Sequence, residues 1–280
     1  MIRSRLSAAG LLGPASLLVV AFLALPLVLL FRFSLNRFVP GQFMVDALTV
    51  ENYVKLVADP YYASVLTLTV GMAFGVTIVC LLFGFPLALF LARAPARWKA
   101  LLLLLVILPL FVGNAVRAAG WMVAFGQKGL LNYLLDAVGL QPMTLMYTPT
   151  AVFVGIVSIN LPFVVLTLQS VLEGIEGTAA DAALSLGATP FEAWRLVTLP
   201  LAAPGLLAAG VLSFILTMNA YATPVLLGGP RFQMAAPVVA NEVLQASNWP
   251  FGAALSFALM GVTLVLTTAA NLVVRRRYGG

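Results

Sequence analysis

Polar residues thin out along this chain in a recurring way. A membrane-crossing helix needs about 20 mostly apolar residues. Six segments meet that need: Leu11 to Phe31, Ala63 to Leu91, Ala100 to Phe125, Ala151 to Leu172, Pro204 to Leu227 and Gly252 to Val274. Because such runs recur along the whole length, the pattern predicts one polytopic, all-α membrane bundle. The first run follows Arg3 and Arg5, as a secretory leader would. It is longer than the roughly 7–15 residues of a leader's apolar core, and it passes into Phe31-Arg32-Phe33 without a small-residue cleavage site. It therefore reads as a retained span.

Helix breakers interrupt several spans. The second holds Gly84 and Pro86, the third Pro109, Gly113 and Gly120, and the fifth Pro224. Irregular backbone at membrane depth is tolerated where it is buried in protein or lines a water-filled cavity. A simple packing kink accounts equally well for any single proline.

Composition supports the same reading. The chain is 62% hydrophobic and 9% charged, against about 25% charged in soluble domains. Its net charge of +6 is gathered in short clusters beside the apolar runs. Arg3 and Arg5 precede the first span, Arg93, Arg97 and Lys99 link the second and third, and Arg275, Arg276 and Arg277 follow the sixth. With six spans all three clusters share one side, which predicts cytoplasmic termini. The first opposite loop, Asn36 to Pro60, sets Arg37 and Lys55 against Asp46, Glu51 and Asp59. No continuous basic face is present, so nucleic acid is not an indicated partner.

The inventory of reactive groups is short. Cys80 stands alone, so neither an intrachain disulfide nor a cysteine metal site can form. There is no histidine, which removes histidine triads, histidine metal ligands and histidine proton shuttles. The spans hold no paired carboxylates, so an intramembrane enzyme has nothing to work with. An ion-coupled secondary transporter would use carboxylates deep in its spans, and none lies there.

One connector is too structured to be a plain loop. Between the fourth and fifth spans, residues 173–203, Thr178 followed by Asp181 reads as a helix cap, and Gly187 suits the left-handed position that stops a helix. Thr189 can cap a second helix, with Pro190 at its first position and Glu192 at its third. Leu199-Pro200 is expected to end that helix before the fifth span. The pattern predicts two short helices hinged at Gly187. Small Ala182 and Ala183 permit close approach of another backbone, and Glu173, Glu176, Asp181 and Glu192 face only Arg195. That acidic bias fits a protein partner better than anionic lipid, although a partnerless interfacial helix has the same outline.

Asp181-Ala182-Ala183, three residues, Gly187, nine residues, then Val197-Thr198-Leu199-Pro200 resembles the "EAA" loop of binding-protein-dependent ABC importer permeases. The family pattern has Glu where this chain has Asp181, and Ile where it has Val197. The resemblance extends over nearly the whole chain and is similar to the spermidine/putrescine-type permeases. It is carried by Asn114-Ala115-Val116-Arg117-Ala118-Ala119-Gly120-Trp121, Leu161-Pro162-Phe163, Ala222 to Gly229, and Asn248 to Ala254. It implies a type I ABC importer permease fold with six transmembrane helices and a cytoplasmic coupling helix between the fourth and fifth. It also implies that Asp181, Ala182, Ala183, Gly187, Glu192, Leu199 and Pro200 dock on a separate ATPase. A second permease subunit, forming a heterodimer, two ATPase copies and an extracytoplasmic substrate-binding protein are the implied partners. The chain has no G-x-x-x-x-G-K-[ST] phosphate loop, so no cofactor is expected in it; ATP and Mg would be bound by the partner ATPase.

Polar groups inside spans are costly and are often functional. The candidates for the substrate pathway are Asn114, Arg117, Trp121, Asn160, Asn219, Tyr221 and Thr223. Each has a plainer reading. Arg117 can snorkel to the outer interface, the asparagines and Thr223 can bond neighbouring helices, and Trp121 and Tyr221 can belong to an aromatic belt. A polyamine cargo would favour carboxylates or an aromatic cage, whereas Arg117 in the pathway would favour an anionic or zwitterionic cargo. An aminophosphonate, an opine-like amino acid derivative or a ferric chelate fits that alternative.

Overall fold

In a bilayer the backbone has no water to bond, so an open chain crosses only as helix. The structure, a computed structural model, describes residues 2–278 apart from Phe43, Glu176 and Arg231, with the backbone alone at 2–13, 15, 177, 178, 180 and 273–278. Among the described residues there is no strand, only one antiparallel bridge between Arg37 and Val45. The helices are α1 (Ile2–Ser34), α2 (Glu51–Ala58), α3 (Pro60–Ala92), α4 (Ala96–Ile107), α5 (Asn114–Phe125), α6 (Leu130–Ala137) and α7 (Pro149–Gly174). They continue as α8 (Gly177–Ser185), α9 (Pro190–Ala193), α10 (Leu199–Met218), α11 (Ala235–Leu244) and α12 (Trp249–Tyr278). Among the described residues five helices are long and apolar enough to cross a membrane, or six if the bent pair Ala96–Phe111 and Asn114–Ala137 is one span.

The third predicted span, Ala100 to Phe125, is not continuous. Its two halves meet at 93°. Pro109 lacks an N–H, the chain tightens into a 3₁₀ turn over Leu108–Phe111, and Val112 and Gly113 are extended with ψ of 124° and 147°. The fifth predicted span, Pro204 to Leu227, begins and ends earlier in the structure. Helix runs through Leu199–Met218 and stops at Asn219, and Pro224–Gly228 forms a separate wide π turn.

The chain divides into two compact units, residues 1–63 with 238–260, and 64–237 with 261–280. In the first, buried Asn52 ties the end of α1 to α2: its Nδ2 donates to the carbonyls of Ser34 (2.8 Å) and Asn36 (2.9 Å). Arg32 donates to the Ala47 carbonyl at 3.0 Å and to the Asn36 side chain, which holds the loop after α1 against it.

In the second unit α7 is the central helix. Its Val152, Ile156, Val164, Val165 and Leu168 are fully buried. α10 lies along it and presents buried Ala202, Gly205, Ala209 and Gly210. Small residues let helix backbones approach closely, which matters in lipid because packing replaces the hydrophobic drive between helices. A Cβ at Gly205 would stand 2.7 Å from Val171 Cγ1.

Candidate coupling segment and membrane pathway

The segment after α7 is built from two local stops. Gly187 has φ of +91°, a conformation that glycine adopts without a Cβ clash. The Ala188 N–H donates to the Ala183 carbonyl and the Gly187 N–H to the Leu184 carbonyl, both at 3.0 Å. Those two bonds are the Schellman closure, so α8 ends with its last carbonyls satisfied. Two residues on, Thr189 Oγ1 accepts from the Glu192 N–H at 3.3 Å, and Glu192 Oε2 accepts from the Thr189 N–H at 2.8 Å. This reciprocal capping box, with Pro190 in the first turn, starts α9. At the other end, α8 begins at Gly177, ahead of the predicted Thr178 cap; the Thr178 side chain lies outside the described residues.

Leu199-Pro200 does not end the second helix, contrary to the expectation from the proline. α9 passes through a π turn, Trp194–Thr198, straight into α10. The turn widens where Pro200 would otherwise strike the carbonyl four residues back. The Leu199 N–H bonds instead to the Trp194 carbonyl. The element after Gly187 is thus one helical path from Pro190 to Met218. Trp194 anchors it to α3 through Phe85, ring centroids 6.3 Å apart, and Phe191 leans on Trp194 at 5.7 Å.

The acidic surplus of this segment is smaller than the sequence suggests. Glu173, in the last turn of α7, forms an ion pair with Lys99 in the first turn of α4. Glu192 is engaged in its own cap, and Glu176 lies outside the described residues. What the segment does present is apolar. Leu186 is 89% exposed, Leu196 70% and Phe191 63%, beside exposed Ala182 and Asp181 and half-buried Ala183.

The seven predicted pathway residues separate into different roles. Asn160 is buried on α7 and bonds across to α10, its Nδ2 donating to Thr217 Oγ1 at 2.8 Å and to the Ser213 carbonyl at 3.1 Å. Trp121 donates to Ser158 Oγ at 2.9 Å and stacks on Phe125 at 4.8 Å, joining α5 to α7. Asn219 caps α10 by donating to the Ile215 carbonyl at 2.9 Å. Thr223 is buried, with its methyl close over Gly155, where a Cβ would stand 2.7 Å away. Tyr221 is 49% exposed. Asn114 and Arg117 form a pair in the first turn of α5, just past the break, with Arg117 Nη2 donating to Asn114 Oδ1 at 2.7 Å. Arg117 Nε and Nη1 are buried without a hydrogen-bond partner among the described residues. Sequence reasoning missed Ser158, Ser213 and Thr217. Nothing in a single sequence marks them, because their partners are distant along the chain.

Asn160→Leu keeps the number of side-chain heavy atoms and removes every hydrogen bond from this position to α10. Interhelical hydrogen bonds in membranes contribute about 0.6–2 kcal/mol. The variant is expected to lose stability by that amount in detergent unfolding, while cargo preference in uptake assays stays the same; a changed preference would put Asn160 in the pathway instead.

Comparison with known proteins follows the same outline. Residues 81–278 match the family model described as binding-protein-dependent transport system inner membrane component. The chain belongs to this family. It is an ABC importer permease subunit, a multi-pass protein of the inner membrane. It is 33% identical over 264 residues to the spermidine/putrescine transport system permease protein PotB of Haemophilus influenzae, covering 92% of each chain. It is 29% identical to the inner membrane ABC transporter permease protein YdcU of Escherichia coli, covering 91% of this permease and 85% of that one. Among solved structures, a bacterial alginate ABC transporter in complex with an alginate pentasaccharide-bound periplasmic protein superposes with a TM-score of 0.76 at 18% identity, over 99% of this permease and 96% of that chain. The fold is that of a type I importer permease.

Proposed function

We propose that this permease carries a polyamine inward and is driven through the 181–200 segment by a separate ATPase. The observation that carries the coupling half is the geometry after Gly187. A helix docked through Ala182 and Ala183 would be joined by one tight turn to a helical path that continues into the membrane as α10. Movement of the docked end would therefore tilt α10, a rigid-body switch between inward-open and outward-open states. The remaining parts of the proposed machine are a second permease completing the pathway, two ATPase copies holding ATP and Mg, and an extracytoplasmic binding protein. Both termini lie in the cytoplasm. The cargo half is supported by 33% identity to spermidine/putrescine permeases.

Arg117 supports a second cargo reading. A guanidinium with two buried nitrogens that have no hydrogen-bond partner among the described residues suits an anion or zwitterion, such as an aminophosphonate, an opine-like amino acid derivative or a ferric chelate. Uptake by the reconstituted transporter separates the two. Radiolabelled putrescine or spermidine should enter proteoliposomes only with ATP and a hydrolysis-competent ATPase. Entry of an aminophosphonate in place of the polyamine would establish the second reading, and uptake with a hydrolysis-dead ATPase would overturn the coupling.

A further inference from the structure

In the first unit, an ammonium group already rests in an aromatic cage. Lys55, exposed on α2, places Nζ 4.4 Å from the ring centroid of Phe251 and 5.5 Å from that of Tyr62. Both distances lie within the roughly 6 Å over which a cation is attracted to an aromatic face. The two rings meet edge to face at 4.6 Å. Beneath the lysine they are well sheltered, with Phe251 1% and Tyr62 7% exposed.

A carboxylate is fixed beside the rings, bonded to the Tyr62 hydroxyl and forming no ion pair with Lys55 among the described residues. The Tyr62 hydroxyl donates to Glu242 Oε1 at 2.8 Å, and Asn248 Nδ2 approaches Glu242 Oε2 at 3.5 Å. Glu242 is thus held at the edge of the Tyr62 ring. On the neighbouring turn Asp59 accepts the Tyr61 N–H at 2.9 Å, which places a second carboxyl beside the start of α3. Aromatic faces with a fixed carboxylate are the chemistry that recognises an alkylammonium ion.

The occupant is the informative part. A lysine side chain is a four-carbon stem ending in an ammonium, the same aminobutyl group that occurs once in putrescine and once in spermidine. We propose that the cage of Tyr62, Phe251 and Glu242 is a capture site for the terminal ammonium of an alkyl polyamine, and that Lys55 is a tethered competitor that closes it. The site lies in the loops that the charge pattern assigns to the extracytoplasmic side, where cargo arrives. When Lys55 swings out, the cargo ammonium takes its place over Phe251. The inference rests on the polyamine reading of the function for its ligand, and on the lysine-filled cage for its location.

The test is equilibrium binding of radiolabelled putrescine to the full-length permease, purified with its partner subunits in nanodiscs and without the binding protein. Lys55→Ala and Lys55→Met both remove the cation from the cage and leave the Tyr62–Glu242 bond in place. Each is expected to bind putrescine about ten-fold more tightly than the unaltered protein, the order of one cation–π contact. Lys55→Arg, which keeps a cation in the cage, should show no gain. Adding Glu242→Gln to Lys55→Ala should remove the gain, and butane-1,4-diol should not compete. Equal putrescine affinity in the unaltered protein and both lysine variants overturns the proposal, even if ATP-driven polyamine uptake is intact. A ten-fold gain in a transporter that takes up no polyamine upholds the cage and overturns the cargo reading instead.

Discussion

Ala182→Asp is expected to reduce uptake to background and to strip the ATPase from the purified complex, while the permease still inserts and folds. Ala182 is exposed on α8, one turn before Leu186, which is 89% exposed. In isolation the substitution is mild. Asp is a weaker helix former than Ala by about 0.7 kcal/mol, and no packed neighbour is disturbed at an exposed position. In a close-packed interface the same carboxylate has to shed its water without a partner, and leaving one charge buried and uncompensated costs about 3–5 kcal/mol. A loss of that size weakens association by a factor on the order of 10²–10⁴. The difference between the two environments is what makes the experiment decisive. Ala182→Ser, small and neutral, should retain both uptake and co-purification. Copurification and uptake that survive Ala182→Asp would show that α8 is not the docking element.

The segment between α7 and α10 was also the part of the molecule most legible in the sequence, for a physical reason. Gly187 and the Thr189–Glu192 pair act within a few residues of themselves, so their hydrogen bonds can be anticipated from spacing alone. Leu199-Pro200 was misread by the same local logic. A proline forbids a regular helical bond, but the chain answered by widening one turn over Trp194–Thr198 rather than by stopping. Whether a helix stops or widens depends on what packs around it, and Phe85 against Trp194 lies outside the local window. The break in the third span had its marks in Pro109 and Gly113, while the 93° between its halves had none. Electrostatic pairing was hidden for the same reason. Lys99 belongs to the charge clusters that set orientation and Glu173 to the acidic bias of the connector, and the fold pairs the two. Lys55 looked like one charge in a mixed loop, and only the structure sets it over Phe251.

Gly205→Leu is expected to separate α10 from α7 and leave little folded protein. A single added Cβ at this position would meet three atoms of Val171, at 2.7, 2.9 and 3.0 Å. Valine cannot swing aside easily, since branching at Cβ restricts χ1 in a helix to one strongly preferred rotamer. The backbones must move apart, and in lipid no hydrophobic drive holds them while they do so. Alanine alone should cost about 1–3 kcal/mol by overpacking, and leucine more. The damage would spread along the interface, because Asn160 reaches Ser213 and Thr217 further along the same two helices, with Thr217 Oγ1 at 2.8 Å. Gly261→Leu provides the control, as a Cβ there meets nothing within 4 Å. Thermal unfolding and limited proteolysis in detergent should rank the unaltered chain with Gly261→Leu, then Gly205→Ala, then Gly205→Leu. If Gly205→Leu is as stable as Gly261→Leu, close contact between α7 and α10 is not what holds this half of the permease together, and a coupling stroke carried by α10 would have to act on a looser bundle.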